Sequence, residues 1–440
     1  MKSLVVGLVL AVVPPAPASI DGYVASALES TGLPGVSVVV THGDRVVHAT
    51  GAGHDSRGNP VTADTPMRVA SVSKSFTAAA VLTLGIPLDA PVSRWLPFPR
   101  DITVRQLLNQ TSGLSDSSVD IGRLASTRTL AEYVSSLPPV EPVAPPGTSW
   151  AYSAVNYDVA ARLVEVVSGR PFDEYVRTAV FEPLGMRDSS VGGWAADGYN
   201  SLFGRWFSRP ELSDGPAVNG AGAVVTTARD MGRWLIAQTG NGPFPPQMLR
   251  TMHEPSTVGS YGMGWAPDDN GLLVHSGNLW TYNAIQAIDP KTGYGYAVMT
   301  NGAGMADDTG AILTGLVALT RGETPQSPDG SRQLIEWVLA AVALVAAALG
   351  VLGVVRARRW AVRRSGRRWW WTALRLVVVA LPVLLFACYP QVVSVISAGR
   401  TVLWAQLFYF ALPLTVTVAV AAGAGLAVLV ARVVRLRSVA

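Results

Sequence analysis

The sequence predicts an α+β domain, an antiparallel sheet flanked by helices with an inserted helical region, followed by three transmembrane helices. Three observations carry this prediction. Runs rich in β-branched residues, each broken by a Gly-containing turn, lie near both ends of residues 20–320, and the patterns between them are helical. Beyond residue 333 come three long apolar stretches with almost no charge. The mean hydropathy of +0.31 is correspondingly high for a chain that lives only in water.

Residues 1–19 begin with Lys2, continue through the apolar run LVVGLVLAVV and reach Ala16-Pro17-Ala18, the small-x-small pattern of a cleaved export signal. That run falls well short of the roughly 20 residues a spanning helix needs. GVSVVVTHGDRVVHATG reads as two strands around His42-Gly43-Asp44. SAVNYDVAARLVEVVSG reads as a helix with Val155, Val159, Leu163 and Val166 on one face and Gly169 as its carboxy-terminal cap. TARDMGRWLIAQTG repeats that logic, with Thr227 and Asp230 at capping-box spacing and Gly240 as the stop. YNAIQAIDPKTGYGYAVMTNG is a hairpin turning at Asp289-Pro290-Lys291-Thr292-Gly293. Residues 321–332, polar and rich in Pro and Gly, read as a linker to a membrane domain, 333–440. Its spans are predicted at about 334–355, 373–398 and 403–430.

Between the first two spans, RARRWAVRRSGRRWWW holds Arg356, Arg358, Arg359, Arg363, Arg364, Arg367 and Arg368. The positive-inside rule keeps this loop and the terminal ARVVRLRSVA in the cytoplasm. One short loop near Arg400 then faces outward, and parity puts everything before Leu334 outside the cytoplasm, as an export signal independently requires. Trp337, Trp360 and Trp369 to Trp371 flank the spans as an interfacial belt. Residues 19–330 carry 20 Lys and Arg against 29 Asp and Glu, and the remainder 14 against 1, so the basicity belongs to the membrane tail. Nucleic-acid binding is excluded on that ground, because the folded domain would itself need the basic patch. The one cysteine, Cys388, falls in the second predicted span, so the exported domain must be held by its core without disulfides.

Only three lysines stand among the 34 basic residues, and one is Lys74 in RVASVSKSFTAAAV. A helix starting here stacks Ser71 and Lys74 on one face. A desolvated lysine can surrender its proton and arginine effectively cannot, so an amine beside a hydroxyl can activate it as a nucleophile, the Ser-Lys variant of the catalytic triad. S-x-x-K alone is a weak signal, and its context decides. MRVASVSKSFTAAAVL, ITVRQLLNQTSGL, PGTSWAYSAVNYDVAARLVEVVSGRPFDEYV, FEPLGMRDSS, AGAVVTTARDMGRWL and VHSGNLWTYNA stand in the order and spacing of the serine β-lactamase-related family. From about residue 25 to 320 the chain resembles class C β-lactamases, penicillin-binding D-alanyl-D-alanine peptidases and related esterases.

The resemblance implies the β-lactamase/DD-peptidase-like form of the α+β fold, with Ser71 as acylated nucleophile and Lys74 as its proton partner. It makes Tyr152 the general base alongside the lysine, or the proton shuttle to the leaving group. It places His275-Ser276-Gly277 at the third motif, on the strand edging the site, and makes the N–H groups of Ser71 and Asn278 the oxyanion hole. One departure bears on substrate. The family pattern is often Tyr-x-Asn, and here Ala154 stands where that Asn would contact a substrate amide, while Asn156 matches a helix-starting position. A largely neutral His275 also holds a substrate carboxylate less firmly than a lysine does. Lys291-Thr292-Gly293 spells the family's K-T-G but belongs to the hairpin turn. His42, His48 and His54 recur every six residues without a recognised ligand spacing, and read as solvated hairpin residues rather than a metal site.

The combined expectation is a membrane-anchored serine hydrolase outside the cytoplasm, forming an acyl-enzyme on a small-molecule or peptide ester or amide, with no cofactor. The alternatives are a D-alanyl-D-alanine carboxypeptidase or β-lactamase, and a non-hydrolytic sensor of cell-wall peptides or β-lactams. Oligomeric state stays open.

Overall fold

The computed structural model describes residues 17–438 except 100, 117–125, 138–141, 213–215, 217, 365 and 398–401. The expected export signal therefore lies largely outside the described residues, and Pro17 to Ser19 open the first helix, α1 (Pro17–Thr31).

Alternation along GVSVVV decides the next two layers. In strand β1 (Gly35–His42), Val36, Val38 and Val40 face one side, where α1 supplies Ile20, Tyr23 and Val24, whereas Val39 faces the other. All four valines are fully buried, each contributing on the order of 1.5 kcal/mol or more. The hairpin partner is β2 (Arg45–Gly53).

The insertion follows. A short β3 (Met67–Arg68) leads into α2 (Ser73–Thr83), then α3 (Val104–Leu108), α4 (Leu130–Ser136), α5 (Ala154–Ser168) and α6 (Phe172–Val176), which continues through a π-helical turn at Arg177–Phe181. Four more short strands come next: β4 (Ser190–Val191), β5 (Gly198–Leu202), β6 (Arg205–Arg209) and β7 (Val224–Thr226). Helices α7 (Ala228–Gln238) and α8 (Pro246–His253) complete it.

The chain then returns to the sheet with β8 (Ala266–Pro267), β9 (Leu273–Asn278), β10 (Asn283–Ile288) and β11 (Tyr294–Thr300), before β12 (Gly302–Ala303) and α9 (Thr309–Thr320). The six-stranded order is β2-β1-β11-β10-β9-β8, with every pairing antiparallel. Both chain ends therefore meet in one sheet, through pairs such as Val38 with Val298. Helices α1 and α9 cover one face; α2 and α7 lie in the core on the other.

Two local expectations are corrected. Val155, Val159 and Leu163 are buried in α5, but Val166 is 38% exposed, because the last turn runs past the core to the left-handed cap at Gly169. In α7, Thr227 Oγ1 accepts the Asp230 N–H (3.2 Å), which is half of a capping box. The Asp230 carboxylate turns instead to Asp188 N and Ser189 Oγ (both 2.8 Å), fastening the preceding loop.

The tail folds as α10 (Ser331–Val355), α11 (Ala357–Val362), α12 (Trp369–Ala387), α13 (Tyr389–Ile396), α14 (Trp404–Phe410) and α15 (Leu412–Arg437). Among the described residues, α10, α12 and α15 are long and apolar enough to cross a membrane. Ser331 and Arg332, assigned to the linker from sequence, form the first turn of α10. The second and third spans also differ from the stretches 373–398 and 403–430. Pro390 and Pro413 each stand in the first turn of a new helix, where a missing N–H costs nothing, and divide the apolar run into two long helices with two short ones between them. Cys388 consequently sits at the break after α12, not within a span. Small residues set the packing of α10 on α15: a Cβ at Gly350 would lie 2.7 Å from Ala424 Cβ.

Candidate active site

Position 71 is reached through strained backbone. Val69 N–H bonds Val224 O (3.1 Å), tying the segment to β7, and Ala70 then adopts φ +50°, a left-handed conformation that costs a non-glycine residue free energy. Residues Ala70–Val72 form a 3₁₀ turn, so α2 proper begins at Ser73, two residues later than the stacking argument assumed. The stacking survives, because a 3₁₀ turn also brings residues three apart together.

Helix α2 is buried from Ser73 through Val81, and that is what desolvates its lysine. Phe76 packs on Trp234 with ring centroids 4.2 Å apart. Ser75 Oγ accepts from Gln286 Nε2 (3.0 Å), and Gln286 Oε1 accepts from Trp234 Nε1 (2.9 Å), so a chain of side-chain bonds locks α2 to β10 and α7. Lys74, 1% exposed, donates to Ser71 Oγ (3.0 Å) and Ala221 O (2.9 Å). The Tyr152 ring centroid stands 4.9 Å from its ammonium, and that of Tyr157 5.7 Å. Ser71, Lys74 and Tyr152 thus converge, with Tyr152 the most open at 37% exposure.

The third-motif strand lies alongside. A Cβ on Gly277 would fall 2.3 Å from Val69 O and 2.8 Å from Ser71 N, so only glycine permits this approach of β9 to the serine backbone. Leu279 N–H bonds Tyr282 O (2.8 Å); by antiparallel alternation the Asn278 N–H points away from β10. Strand β8 pairs β9 only at Leu273 and Val274, leaving that edge open beside residues 69–71. The Asn278 side chain is committed elsewhere, donating to Asn283 Oδ1 (3.0 Å) and Asp307 Oδ2 (2.9 Å).

A cavity of about 550 Å³ opens at this point, with Ser71, Lys74, Ala154, Asp158, Asn278 and Trp280 among its walls. His275, Ser276 and Gly277 do not line it. Alternation turns His275 and Gly277 into the body and Ser276 and Asn278 outward. The His275 ring is closed on both sides. Its Nδ1 meets the Ser276 carbonyl (2.7 Å), which can only accept, so Nδ1 carries the proton and Nε2 accepts from the Tyr261 hydroxyl (2.8 Å). Burial first, and the Lys74 charge second, push its pKa down to about 3, so the imidazole is neutral. His275, expected beside a substrate carboxylate, stands as a neutral ring behind Tyr152, their centroids 6.3 Å apart. Lys291-Thr292-Gly293 caps the β10–β11 turn, its N–H groups at 291 and 292 bonded to Asp289 Oδ1 (2.9 and 3.3 Å), at the far end of the sheet, roughly 17 Å along the strand.

Residues 20–319 match the Beta-lactamase family. The chain belongs to that family. Its β-lactamase fold is that of a serine hydrolase group. Protein flp of Staphylococcus aureus is 25% identical over 318 residues, an alignment covering 64% of this chain and 62% of that relative, so the chain spans under two thirds of the relative's length. The octameric penicillin-binding protein homologue from Pyrococcus abyssi shares the fold, with a TM-score of 0.62 at 23% identity over 71% of this chain and 79% of that one. The D-amino acid amidase from Ochrobactrum anthropi, solved with L-phenylalanine amide, superposes with a TM-score of 0.59 at 26% identity, covering 69% and 97%.

In this β-lactamase-family site, sequence reasoning missed Asp158. Its Oδ1 accepts the N–H groups of Gly220 (3.2 Å) and of Ala221 (3.0 Å), the residue whose own carbonyl receives Lys74. Burial raises its carboxyl to about 7, opposed by the Lys74 charge. The available signal was an acid set between Tyr157 and Val159, two helix residues that the core buries. Asn156 is also accounted for: buried, it accepts from Ser112 Oγ and donates to Gln110 Oε1 (both 2.6 Å), stitching the loop after α3 to α5. It does not substitute for an Asn at 154.

Proposed function

We propose that the protein is a membrane-anchored hydrolase that acylates Ser71 with an ester or amide. The observation that carries this reading is the buried Lys74 ammonium 3.0 Å from Ser71 Oγ. Lys74 and Tyr152 stand together at Ser71 Oγ, and this pair takes the serine proton as Oγ attacks. The bond from Oγ to the carbonyl carbon forms, and the tetrahedral oxyanion settles against the N–H groups of Ser71 and Asn278. The bond to the leaving oxygen or nitrogen then breaks as that atom receives the proton, with Tyr152 beside Lys74 as the relay. Water repeats the sequence on the acyl-enzyme and releases a carboxylic acid.

Ala154 in the cavity wall supplies no side-chain hydrogen bond, which favours esters and simple amides over D-alanyl peptides or β-lactams. The amidase neighbour extends the reading to small amides. Topology has support beyond the arginine loops: the connection between α12 and α15 touches the hydrolase domain through Arg209 and Phe408, so that connection and the domain share one side of the membrane. The arginine-rich segment and the carboxy terminus then share the other, cytoplasmic, side.

The test is labelling of the purified protein with a fluorophosphonate, followed by intact mass and peptide mapping. Label should reside on Ser71, disappear in Ser71→Ala, and fall to background in Lys74→Arg, since arginine keeps the charge but cannot take the proton. Wild-type labelling or burst kinetics in Lys74→Arg would contradict the mechanism.

A further inference from the structure

The cavity at Ser71 has two walls of different origin. One belongs to the β-lactamase-family domain. The other consists of Val393, Ser397, Val402, Gln406, Leu407 and Phe410, contributed by α13, α14 and the residues flanking them, in the connection between the second and third long helices. Acyl transfer by Ser71 and Lys74 requires no such wall.

This connection is fastened to the domain. Arg209 Nη1 donates to Phe408 O (2.6 Å), and its guanidinium carbon lies 3.7 Å from the Tyr409 ring centroid. The Tyr409 hydroxyl donates to Pro210 O (3.0 Å). The next residue, Glu211, accepts from Trp280 N (2.9 Å) and Thr281 Oγ1 (2.5 Å), so the anchor runs directly into the loop that lines the same cavity. Within the connection, Val402 N–H bonds Ser394 Oγ (3.0 Å), and Thr415 Oγ1 donates to Leu407 O (2.9 Å), locking α14 to α15.

We propose that α13 and α14 form an acyl-chain wall of the Ser71 site, and that the substrate is an amphiphile. Its ester or amide carbonyl reaches Ser71 while a long apolar acyl chain runs along Val393, Leu407 and Phe410 toward lipid. The inference rests on the reading that Ser71 is acylated. Because α13 and α14 join two membrane-crossing helices, the chain itself holds this wall at the bilayer surface. Val395 and Ile396 are 78% and 79% exposed, and Trp404 and Phe408, whose ring centroids lie 6.2 Å apart, are exposed as well, residues suited to the interfacial layer. A cavity of about 550 Å³ bounded partly by such a segment lets an acyl chain pass from lipid to the nucleophile without crossing water. In the reaction the acyl carbon bonds to Ser71 Oγ, the polar head leaves with the proton, and water later frees the chain as a carboxylic acid.

The experiment uses the full-length protein in lipid nanodiscs and a fluorophosphonate whose ten-carbon alkyl chain carries a mid-chain diazirine. Ser71 displaces fluoride from phosphorus, and irradiation then marks whatever surrounds the chain. Crosslinks within α13 and α14 are expected. Crosslinks confined to the domain before residue 321, with Ser71 labelled, overturn the chain wall and leave Ser71 acylation standing; absence of label on Ser71 overturns both. Independently, kcat/KM for p-nitrophenyl esters should rise with acyl length, by up to roughly fourfold per methylene buried. Arg209→Ala, which unfastens the connection, should reduce the ratio of dodecanoyl to acetyl turnover at least tenfold. A length-independent wild type, or an unchanged ratio in that variant, refutes the proposal.

Discussion

Replacing Gly277 by alanine tests whether the spacing of β9 from Ser71 governs turnover. The new Cβ would stand 2.3 Å from Val69 O, 2.8 Å from Ser71 N and 2.9 Å from Ala70 Cβ. Two of these are backbone atoms, so no side chain can swing aside, and reaching ordinary contact requires β9 and residues 69–71 to part by roughly 1 Å. Overpacking of this kind costs about 1–3 kcal/mol of stability. The larger effect is on rate. Displacing a reacting group by roughly 1 Å costs about 100-fold, and losing one oxyanion donor about 100- to 1,000-fold. We therefore expect kcat/KM for p-nitrophenyl acetate to fall about 100-fold, or about 2.7 kcal/mol in barrier, while circular dichroism shows a folded protein. Gly310→Ala, at a position with nothing within 4 Å of the added methyl, serves as the control and should be unaffected. Wild-type turnover by folded Gly277→Ala would refute the argument that glycine is there to let strand and serine approach.

Ala154→Asn should restore an amide contact in the cavity and raise turnover of D-terminal peptides several-fold more than that of p-nitrophenyl acetate; equal effects on both would count against the reading of position 154. Stability should decline in acid because of His275. Its folded pKa, about 3, lies below the ordinary 6.5, so its contribution is complete above about 6.5 and is lost as pH falls toward 3. That amounts to about 2 kcal/mol between pH 7 and pH 5, and His275→Gln should remove it from the pH dependence of denaturant unfolding. Identical pH slopes for the two proteins would show that the imidazole is not buried neutral.

Much of the fold was legible because its signals are local. β-Branched alternation marks β1, the Asp289–Gly293 turn marks the β10–β11 hairpin, and three long apolar runs with almost no charge mark the tail. The S-x-x-K spacing placed Ser71 and Lys74 within reach because three residues make one turn in either a 3₁₀ or an α helix. The same local reading left open how His275 is held: a strand pattern says that neighbours alternate, not which face meets the cavity. It passed over Asp158, whose role depends on the peptide at Gly220 and Ala221, more than sixty residues away.

By itself, the amino-acid order determined the family, the α+β architecture, the Ser71–Lys74 pair and a tail with three helices long and apolar enough to cross a membrane, since each follows from short-range spacing or composition. Only the tertiary structure decided that burial and the Lys74 charge keep His275 neutral, that Asp158 holds the Gly220–Ala221 segment whose Ala221 carbonyl receives Lys74, and that α13 and α14 wall the cavity. Those facts join residues far apart in sequence, and burial, close approach and hydrogen bonding exist only once the chain has brought them together.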